Sequence, residues 1–330
     1  MSPPEKHGTI SGPTKTGGAL PKPGEAAHRD AFDWLRVAAV LGIVWFHADP
    51  GNWRWLAYSG LPIFLLMSTF LAANSASGRG FREHLGKRAR RLLLPWAFWS
   101  LLYALWTAQH ALRHGTPVLG ALPSCWLVAG GAGHLWYFPF IFAAQTALFP
   151  LINRHGFSHP SRQASLALLI GTALFFLLPF CAEQYAPPQP VPQWFFSIPV
   201  LFAGYALACA MHETSPRARL TSALATVVLY GVLAGGVRWA CCGVAPGDAL
   251  ANAVGVLLVT IALFAPLAAP RPIRLASDLS MGIYVLHPFC LGQLERITGL
   301  PVCARVLAAF LISAAMTWAL QHNRWTARFV

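Results

Sequence analysis

The chain has 330 residues, of which 56% are hydrophobic and only 11% are charged, and its mean hydropathy is +0.51. About 25% of the residues in an ordinary soluble domain are charged, so this composition excludes a fold that is mainly exposed to water. In a soluble protein, the formal net charge of +13 would suggest a nucleic-acid partner. Here the basic residues lie in short segments between apolar stretches, which favours contact with membrane lipids and no binding of nucleic acid.

Residues 1–28 are rich in Pro, Gly, Ser and Lys, and they predict a disordered cytoplasmic tail. Residues 29–330 predict a single transmembrane domain, an all-α polytopic bundle of about ten helices, because helices satisfy their own backbone groups in lipid. Most of its apolar segments have nearly the length that crosses about 30 Å of hydrocarbon. They run at about 32–48, 60–74, 92–110, 133–152, 164–181, 194–211, 219–237, 249–268, 278–295 and 302–320.

The distribution of Lys and Arg predicts the orientation of this bundle. With ten spans, all but five of the 24 basic residues fall on one side, which the positive-inside rule assigns to the cytoplasm. Both termini and the basic segment at 79–91 then lie in the cytoplasm. The five basic residues on the outward side are Arg54, Arg113, Arg238, Arg296 and Arg305.

The first apolar segment carries Arg36 near its start and His47 near its end, eleven positions later. Eleven helical residues rotate through roughly 1100°, so the two side chains share one helix face and lie about 16 Å apart along the axis. An ionisable group at such depth indicates a functional site. His47 is a candidate base, or a histidine that only caps the helix; Arg36 is a candidate phosphate ligand, or an anchor paired with Asp33.

The third segment begins with the run Lys87-Arg-Ala-Arg-Arg91, followed by three leucines and Pro95. Four cations at the cytoplasmic start of a helix anchor it in the membrane, and they also attract a phosphate-rich ligand. Arg88 and Arg91 share a helix face at a spacing of three residues, so both are candidate ligands of such a molecule.

Three outward segments complete the candidate site. The long loop at 111–132 ends in glycines and has enough length to fold back into the bundle. His134 and Trp136 begin the fourth segment, and Tyr284 and His287 share a face of the ninth. All three histidines therefore map to one side of the membrane, which predicts a shared polar pocket. Trp136 offers a flat apolar surface for a sugar ring.

The residues alone leave several classes open. The sequence has no Gly-rich phosphate loop, no HExxH motif and no GxSxG motif, and we expect no metal. Carboxylates within the segments are few and lie near their ends, which weakens the case for an ion-coupled transporter. A transporter or exporter of a glycan or anionic small molecule nevertheless stays open, whereas a structural scaffold explains neither the aligned Arg36 and His47 nor the outward histidines.

Four blocks of sequence together resemble the acyltransferase-3 family of integral-membrane acyltransferases. They are Phe32-Asp-Trp-Leu-Arg36 to His47, Leu61-Pro-Ile-Phe64 to Ser68, Lys87-Arg88 to Trp99, and His134-Leu-Trp136-Tyr137-Phe to Pro150; Ser280 to His287 is a weaker fifth. The resemblance covers about 30–325. The family usually has Gly after the serine of the second block, where this chain has Thr69.

The resemblance implies transfer of an acyl group, typically acetyl from cytosolic acetyl-CoA, to a hydroxyl of a sugar or lipid-linked glycan, in the inner membrane of a bacterium. On this hypothesis Arg36, Arg88 and Arg91 bind the phosphates of the donor. His47 deprotonates the acceptor hydroxyl or carries the acyl group. His134, Trp136, Tyr284 and His287 surround the acceptor.

Overall fold

The computed structural model describes residues 23–75, 80–121, 125–240, 246–297 and 299–330. These residues form an all-helical bundle without β-strands, in which ten helices have 15 residues or more. We number them α1 (Pro23–His47), α2 (Gly60–Ser75), α3 (Phe81–Arg113), α4 (Tyr137–His155), α5 (Pro160–Tyr185), α6 (Val191–Met211), α7 (Pro216–Ala240), α8 (Pro246–Phe264), α9 (Ser280–Leu294) and α10 (Val302–Gln321).

Each predicted apolar segment coincides with one of these helices. Helix α1 begins at Pro23, inside the segment expected to be a tail, and residues 1–22 and Arg79 lie outside the described residues. The number of ten spans and the cytoplasmic position of the termini stay predictions. Within the described part of the chain, five stretches are long and apolar enough to cross a membrane, namely Gly51–Ser75, Pro160–Ala182, Val191–Met211, Pro216–Gly236 and Val302–Gln321.

Helix α1 lies at the centre of the bundle, where it packs against α2, α8, α9 and α10. Its Ala39, Val40 and Val44 are fully buried, and most residues of α2 and α6 are buried as well. Helices α5, α7 and α10 have few buried residues, as expected for apolar helices whose neighbours are lipids. The helix that carries Arg36 and His47 is therefore held from several sides, which fixes its position relative to the rest of the bundle.

Shorter helical segments connect the long helices at the two ends of α1. Arg54–Tyr58 and the 3₁₀ turn Gly51–Trp53 follow its C-terminus, and Arg271–Asp278 packs against it and leads into α9. Trp126–Ala129 and the 3₁₀ turn Gly133–Trp136 belong to the loop between α3 and α4. This loop folds back onto α3, as its length predicts: a Cβ at Gly131 would lie 2.0 Å from the carbonyl oxygen of Ser100.

Position 69 is closely packed, although this chain has Thr where the resemblance leads one to expect Gly. Thr69 is buried on α2 and faces Gly204 of α6, where an added Cβ would lie 3.0 Å from the Cβ of Thr69. The small residue at this helix crossing therefore sits on the partner helix. The crossing of α1 and α2 is tighter still, because a Cβ at Gly60 would lie 2.2 Å from the carbonyl oxygen of Ala39.

We predict that Gly60→Ala lowers the free energy of unfolding by about 1–3 kcal/mol, because the new methyl group pushes α2 away from α1. Gly231→Ala on α7 is the matched control, since no atom lies within 4 Å of its added Cβ. Alanine is favoured over glycine inside a helix by roughly 0.5–1 kcal/mol, so the control should match or exceed the wild type. Thermal unfolding of the purified proteins in detergent measures both; equal melting temperatures would contradict the tight crossing.

Candidate active site

A cavity of about 930 Å³ lies at the C-terminal end of α1, and we call it the upper cavity. His47 is exposed to it, and the loop between α3 and α4 forms one wall with His134 and Trp136. Polar side chains line the rest of it together with aromatic ones. Its other lining residues include Arg54, Tyr58, Tyr103, Trp106, Thr107, Gln189, Gln193, Phe196 and Tyr284.

The three candidate histidines meet beside this cavity. The ring centre of His287 lies 5.1 Å from that of His47 and 5.7 Å from that of His134. His287 is fully buried behind the other two and does not line the cavity. The predicted grouping of His47, His134 and His287 is therefore present, with His47 as the member that reaches open space. Within the described residues, no three His, Cys, Asp or Glu side chains form a group that could hold a metal ion.

The position of His287 depends on the proline that follows it. Pro288 lacks an N–H, so the carbonyl oxygen of Tyr284 has no intrahelical donor four residues later. His287 supplies one, with its Nδ1 2.7 Å from that oxygen. Because a carbonyl oxygen only accepts, Nδ1 carries the hydrogen and Nε2 has the free lone pair. This Nε2 is buried and has no hydrogen-bond partner among the described residues.

His134 is fixed by helix α9 in the same way. Its Nε2 lies 3.2 Å from the carbonyl oxygen of Val285, which also accepts a hydrogen bond of 2.8 Å from the hydroxyl of Tyr103. The hydroxyl of Tyr284 in turn donates to the carbonyl oxygen of His134. These bonds assign the hydrogen of the His134 ring to Nε2 and tie the wall of the upper cavity to α3 and α9.

A second cavity of about 360 Å³, the lower cavity, contains the three candidate phosphate ligands. Arg36 of α1 and Arg88 and Arg91 of α3 all line it, and among the described residues no carboxylate does. Its other polar residues are Ser68, Ser75, Tyr137, Gln145, Ser280 and Tyr284. Three guanidinium groups around one concave surface without an acidic residue favour a ligand with several negative charges.

Arg36 is held in place by a buried carboxylate. Its Nη1 lies 3.3 Å from Oδ1 of Asp33 and 3.4 Å from Oγ of Ser277. The Ser277 hydroxyl donates to the same Asp33 oxygen at 2.7 Å. Both interpretations of Arg36 are therefore compatible with the structure: it pairs with Asp33 one turn earlier, and it also faces the lower cavity.

The two cavities adjoin along one face of α1. Ile43, Leu61 and Tyr284 line both of them, so these three side chains form the boundary. On α1, Arg36 lies below this boundary and His47 above it, at positions seven residues before and four residues after Ile43. This spacing places all three on one helical face. The arrangement can hold an elongated ligand that begins at the guanidinium groups and reaches the imidazole.

Comparison with known families identifies the family of the chain. A family model described as an acyltransferase domain, that of the acyltransferase-3 family, matches residues 29–322. The chain belongs to the acyltransferase-3 family. No curated protein and no solved structure matches it. With its apolar helices, the family makes this chain an integral membrane acyltransferase.

Several residues of this acyltransferase site escaped prediction from the sequence. Ser277 bonds to Arg36 from 241 positions away in the chain, and the ring of Tyr103 packs edge-on against that of His134, with ring centres 5.2 Å apart. Tyr137 shares a 3.1 Å hydrogen bond with Ser68, and Gln145 donates to the carbonyl oxygen of Ser68. Ser68 and Tyr137 belong to blocks that resemble the family, which was a usable signal. Nothing local in the sequence marks Tyr103, Gln145 or Ser277.

We predict that His287→Leu lowers the free energy of unfolding of the acyltransferase by about 1–3 kcal/mol, because the carbonyl oxygen of Tyr284 loses its donor in a buried position. His287→Asn should cost less, since the amide nitrogen of Asn stands close to where Nδ1 was. Thermal unfolding in detergent compares the two variants. If Leu and Asn are equally stable, the hydrogen bond to Tyr284 does not hold this part of α9.

Proposed function

We propose that the acyltransferase moves an acyl group, most simply acetyl, from cytosolic acetyl-CoA to a hydroxyl of a sugar or glycan on the opposite side of a bacterial inner membrane. One observation carries the proposal: a basic cavity and a histidine cavity adjoin along a single face of α1. The proposal includes cytoplasmic termini, so that the lower cavity opens toward the donor.

The lower cavity suits the donor. Acetyl-CoA carries several phosphate charges, and Arg36, Arg88 and Arg91 offer planar guanidinium groups that match phosphate oxygens. The apolar part of the same wall, with Phe64, Met67 and Ile141, suits the uncharged arm that leads to the thioester. Arg36 and His47 are separated by about 16 Å of helix, a length that an extended pantetheine arm covers. The thioester then lies at the boundary formed by Ile43, Leu61 and Tyr284.

The upper cavity suits a polyhydroxylated acceptor. Trp136 and Trp106 offer aromatic surfaces, and Thr107, Gln189 and Gln193 offer side chains that donate and accept hydrogen bonds. Oε1 of Gln193 is buried and has no partner within the described part of the chain. A sugar hydroxyl would supply the missing donor. A cavity of about 930 Å³ is large enough for more than one sugar ring.

His47 is the group that touches both substrates in this scheme. As a base, it takes the proton of the acceptor hydroxyl while the hydroxyl oxygen bonds to the acyl carbon; the carbon–sulfur bond breaks, and the proton passes to the leaving thiolate. As an acyl carrier, it bonds to the acyl carbon first, releases the thiol and then gives the acyl group to the hydroxyl. His134 and His287 border His47 and exclude water from one side of it.

An exporter is the alternative class that the composition left open. Membership of an acyltransferase family favours the enzyme. No contact within the described bundle favours transport over acyl transfer, so we propose an enzyme and no transporter.

We predict that His47→Ala lowers acyl transfer by about 10²–10⁴-fold. The Nε2 of His134 is already bonded to the carbonyl oxygen of Val285 and His287 does not line the upper cavity, so neither ring replaces His47 as the base. Radiolabelled acetyl-CoA added to inverted membrane vesicles measures the label on glycan. His114→Ala, an exposed histidine outside both cavities, is the control and should keep wild-type transfer. Full activity of His47→Ala at equal protein level would end the mechanism, and labelling only in right-side-out vesicles would reverse the orientation.

We further predict that Ile43→Trp blocks transfer without abolishing donor binding, because the larger ring fills the boundary between the cavities while Arg36, Arg88 and Arg91 stay in place. A displaced thioester should reduce turnover by about 100-fold. Leu41→Trp, two positions away and 37% exposed on the outer side of α1, is the matched control. Binding of acetyl-CoA to the purified protein and turnover are measured separately. Equal turnover in both variants would show that the donor does not cross this boundary.

A further inference from the structure

Trp106 of α3 forms part of three different cavities. It lines the upper cavity, an apolar groove of about 620 Å³ between α3, α9 and α10, and a smaller polar cavity of about 290 Å³ at the outward end of α3 and α9. We call the last two the groove and the cradle. Both therefore lie next to the upper cavity.

The groove has the properties of a binding site for a hydrocarbon chain. Trp99, Leu102, Leu286, Phe289 and Met316 are among its lining residues, and its few polar residues, Asn323 and Thr326, lie beyond the end of α10. Leu102 is 40% exposed, and its neighbours Leu101 and Leu105 are more exposed still. Tyr103 and Trp106 are the only residues that the groove shares with the upper cavity.

The cradle has the properties of a phosphate site. Arg113 and Arg296 lie at the C-terminal ends of α3 and α9, and both line it together with Gln109, His110 and Gln293. No carboxylate lines the cradle, and neither arginine forms an ion pair within the described residues. A cation at a helix C-terminus stabilises its own helix. That role explains one arginine on each helix, but it does not require the two to face a common cavity.

We propose that the groove and the cradle together bind a lipid phosphate that carries the acceptor sugar. The tail lies in the groove, the phosphate accepts hydrogen bonds from Arg113 and Arg296, and the sugar passes Trp106 into the upper cavity, where it meets His47. The inference rests on the proposed function and deepens it, because it names the acceptor class. Neither a free glycan nor an inorganic phosphate would use an apolar groove, and the cradle alone would not place a sugar beside His47.

The test is photo-cross-linking of the purified full-length protein in nanodiscs with farnesyl phosphate that carries a diazirine in its tail. The expected cross-links map to groove residues such as Leu102 and Met316, and unlabelled farnesyl phosphate competes with them. Farnesol and inorganic phosphate should compete at least about tenfold more weakly, since each lacks one half of the ligand. Equal competition by inorganic phosphate, or by phosphatidylglycerol at the same mole fraction, would overturn the proposal.

Variants separate the two halves of the site. Arg113→Gln with Arg296→Gln should reduce cross-linking by about tenfold or more, through loss of two charge-assisted interactions. Leu102→Trp should reduce it by filling the groove. Arg305→Gln removes an outward positive charge from outside the cradle and should leave cross-linking unchanged. If all the proteins fold, unchanged cross-linking in both the double arginine variant and Leu102→Trp would overturn the proposal.

The same preparations distinguish failure of this inference from failure of the proposed function. The double arginine variant should lose acyl transfer to a lipid-linked sugar at least about tenfold, and keep transfer to a water-soluble sugar. Equal loss on both acceptors would overturn the lipid site. If the wild type acylates neither acceptor, the proposed function fails, whereas the cross-linking pattern still decides whether a lipid phosphate binds. His47→Ala should cross-link like the wild type, because its histidine lies outside the groove and the cradle.

Discussion

A continuous helix fixes the distance between the two halves of the site. Helix α1 carries Arg36 and His47 without an interruption, so their separation follows from the rise of 1.5 Å per residue and cannot adapt to the ligand. Neighbours on several sides hold this helix, and Gly60 allows α2 to approach its backbone at Ala39. A ligand that extends through both cavities must therefore match the separation of Arg36 and His47. The bundle would thus select ligands by their length, which no single side chain can do.

The polar groups around His47 are ordered by the backbone of α9. A proline inside an apolar helix leaves a carbonyl oxygen without its donor, and an oxygen that is buried away from solvent needs a new one. His287 donates to this oxygen at Tyr284, while His134 and Tyr103 donate to the next one, at Val285. Two of the three histidines thus have a fixed tautomer, whereas the ring of His47 has no hydrogen bond to any other described residue. The interruption of α9 at Pro288 therefore belongs to the same group of contacts as the three histidines.

Much of the fold could be predicted from the sequence, because long apolar segments in a membrane protein have few alternatives to helices. The helical period also predicts that Arg36 and His47 share one face. The partners that hold these residues were not predictable in the same way. Asp33, Ser277 and Arg36 form one network, yet Ser277 lies 241 positions from Arg36 and sits on a short helix, Arg271–Asp278, that is too polar for a segment search to find. Contacts of this kind depend on how helices pack, which local patterns do not specify.

The two cavities differ in the charges of their lining residues. Among the described residues, three arginines and no carboxylate line the lower cavity, whereas Arg54 is the one Lys or Arg that lines the upper cavity, and its guanidinium lies 4.4 Å from the ring centre of Phe46. On the proposed function, a polyanionic donor would therefore be attracted to the lower cavity, and its uncharged thioester end would be the part that passes Ile43 toward His47. The arginines would then hold one end of the donor while the other end reaches the boundary formed by Ile43, Leu61 and Tyr284.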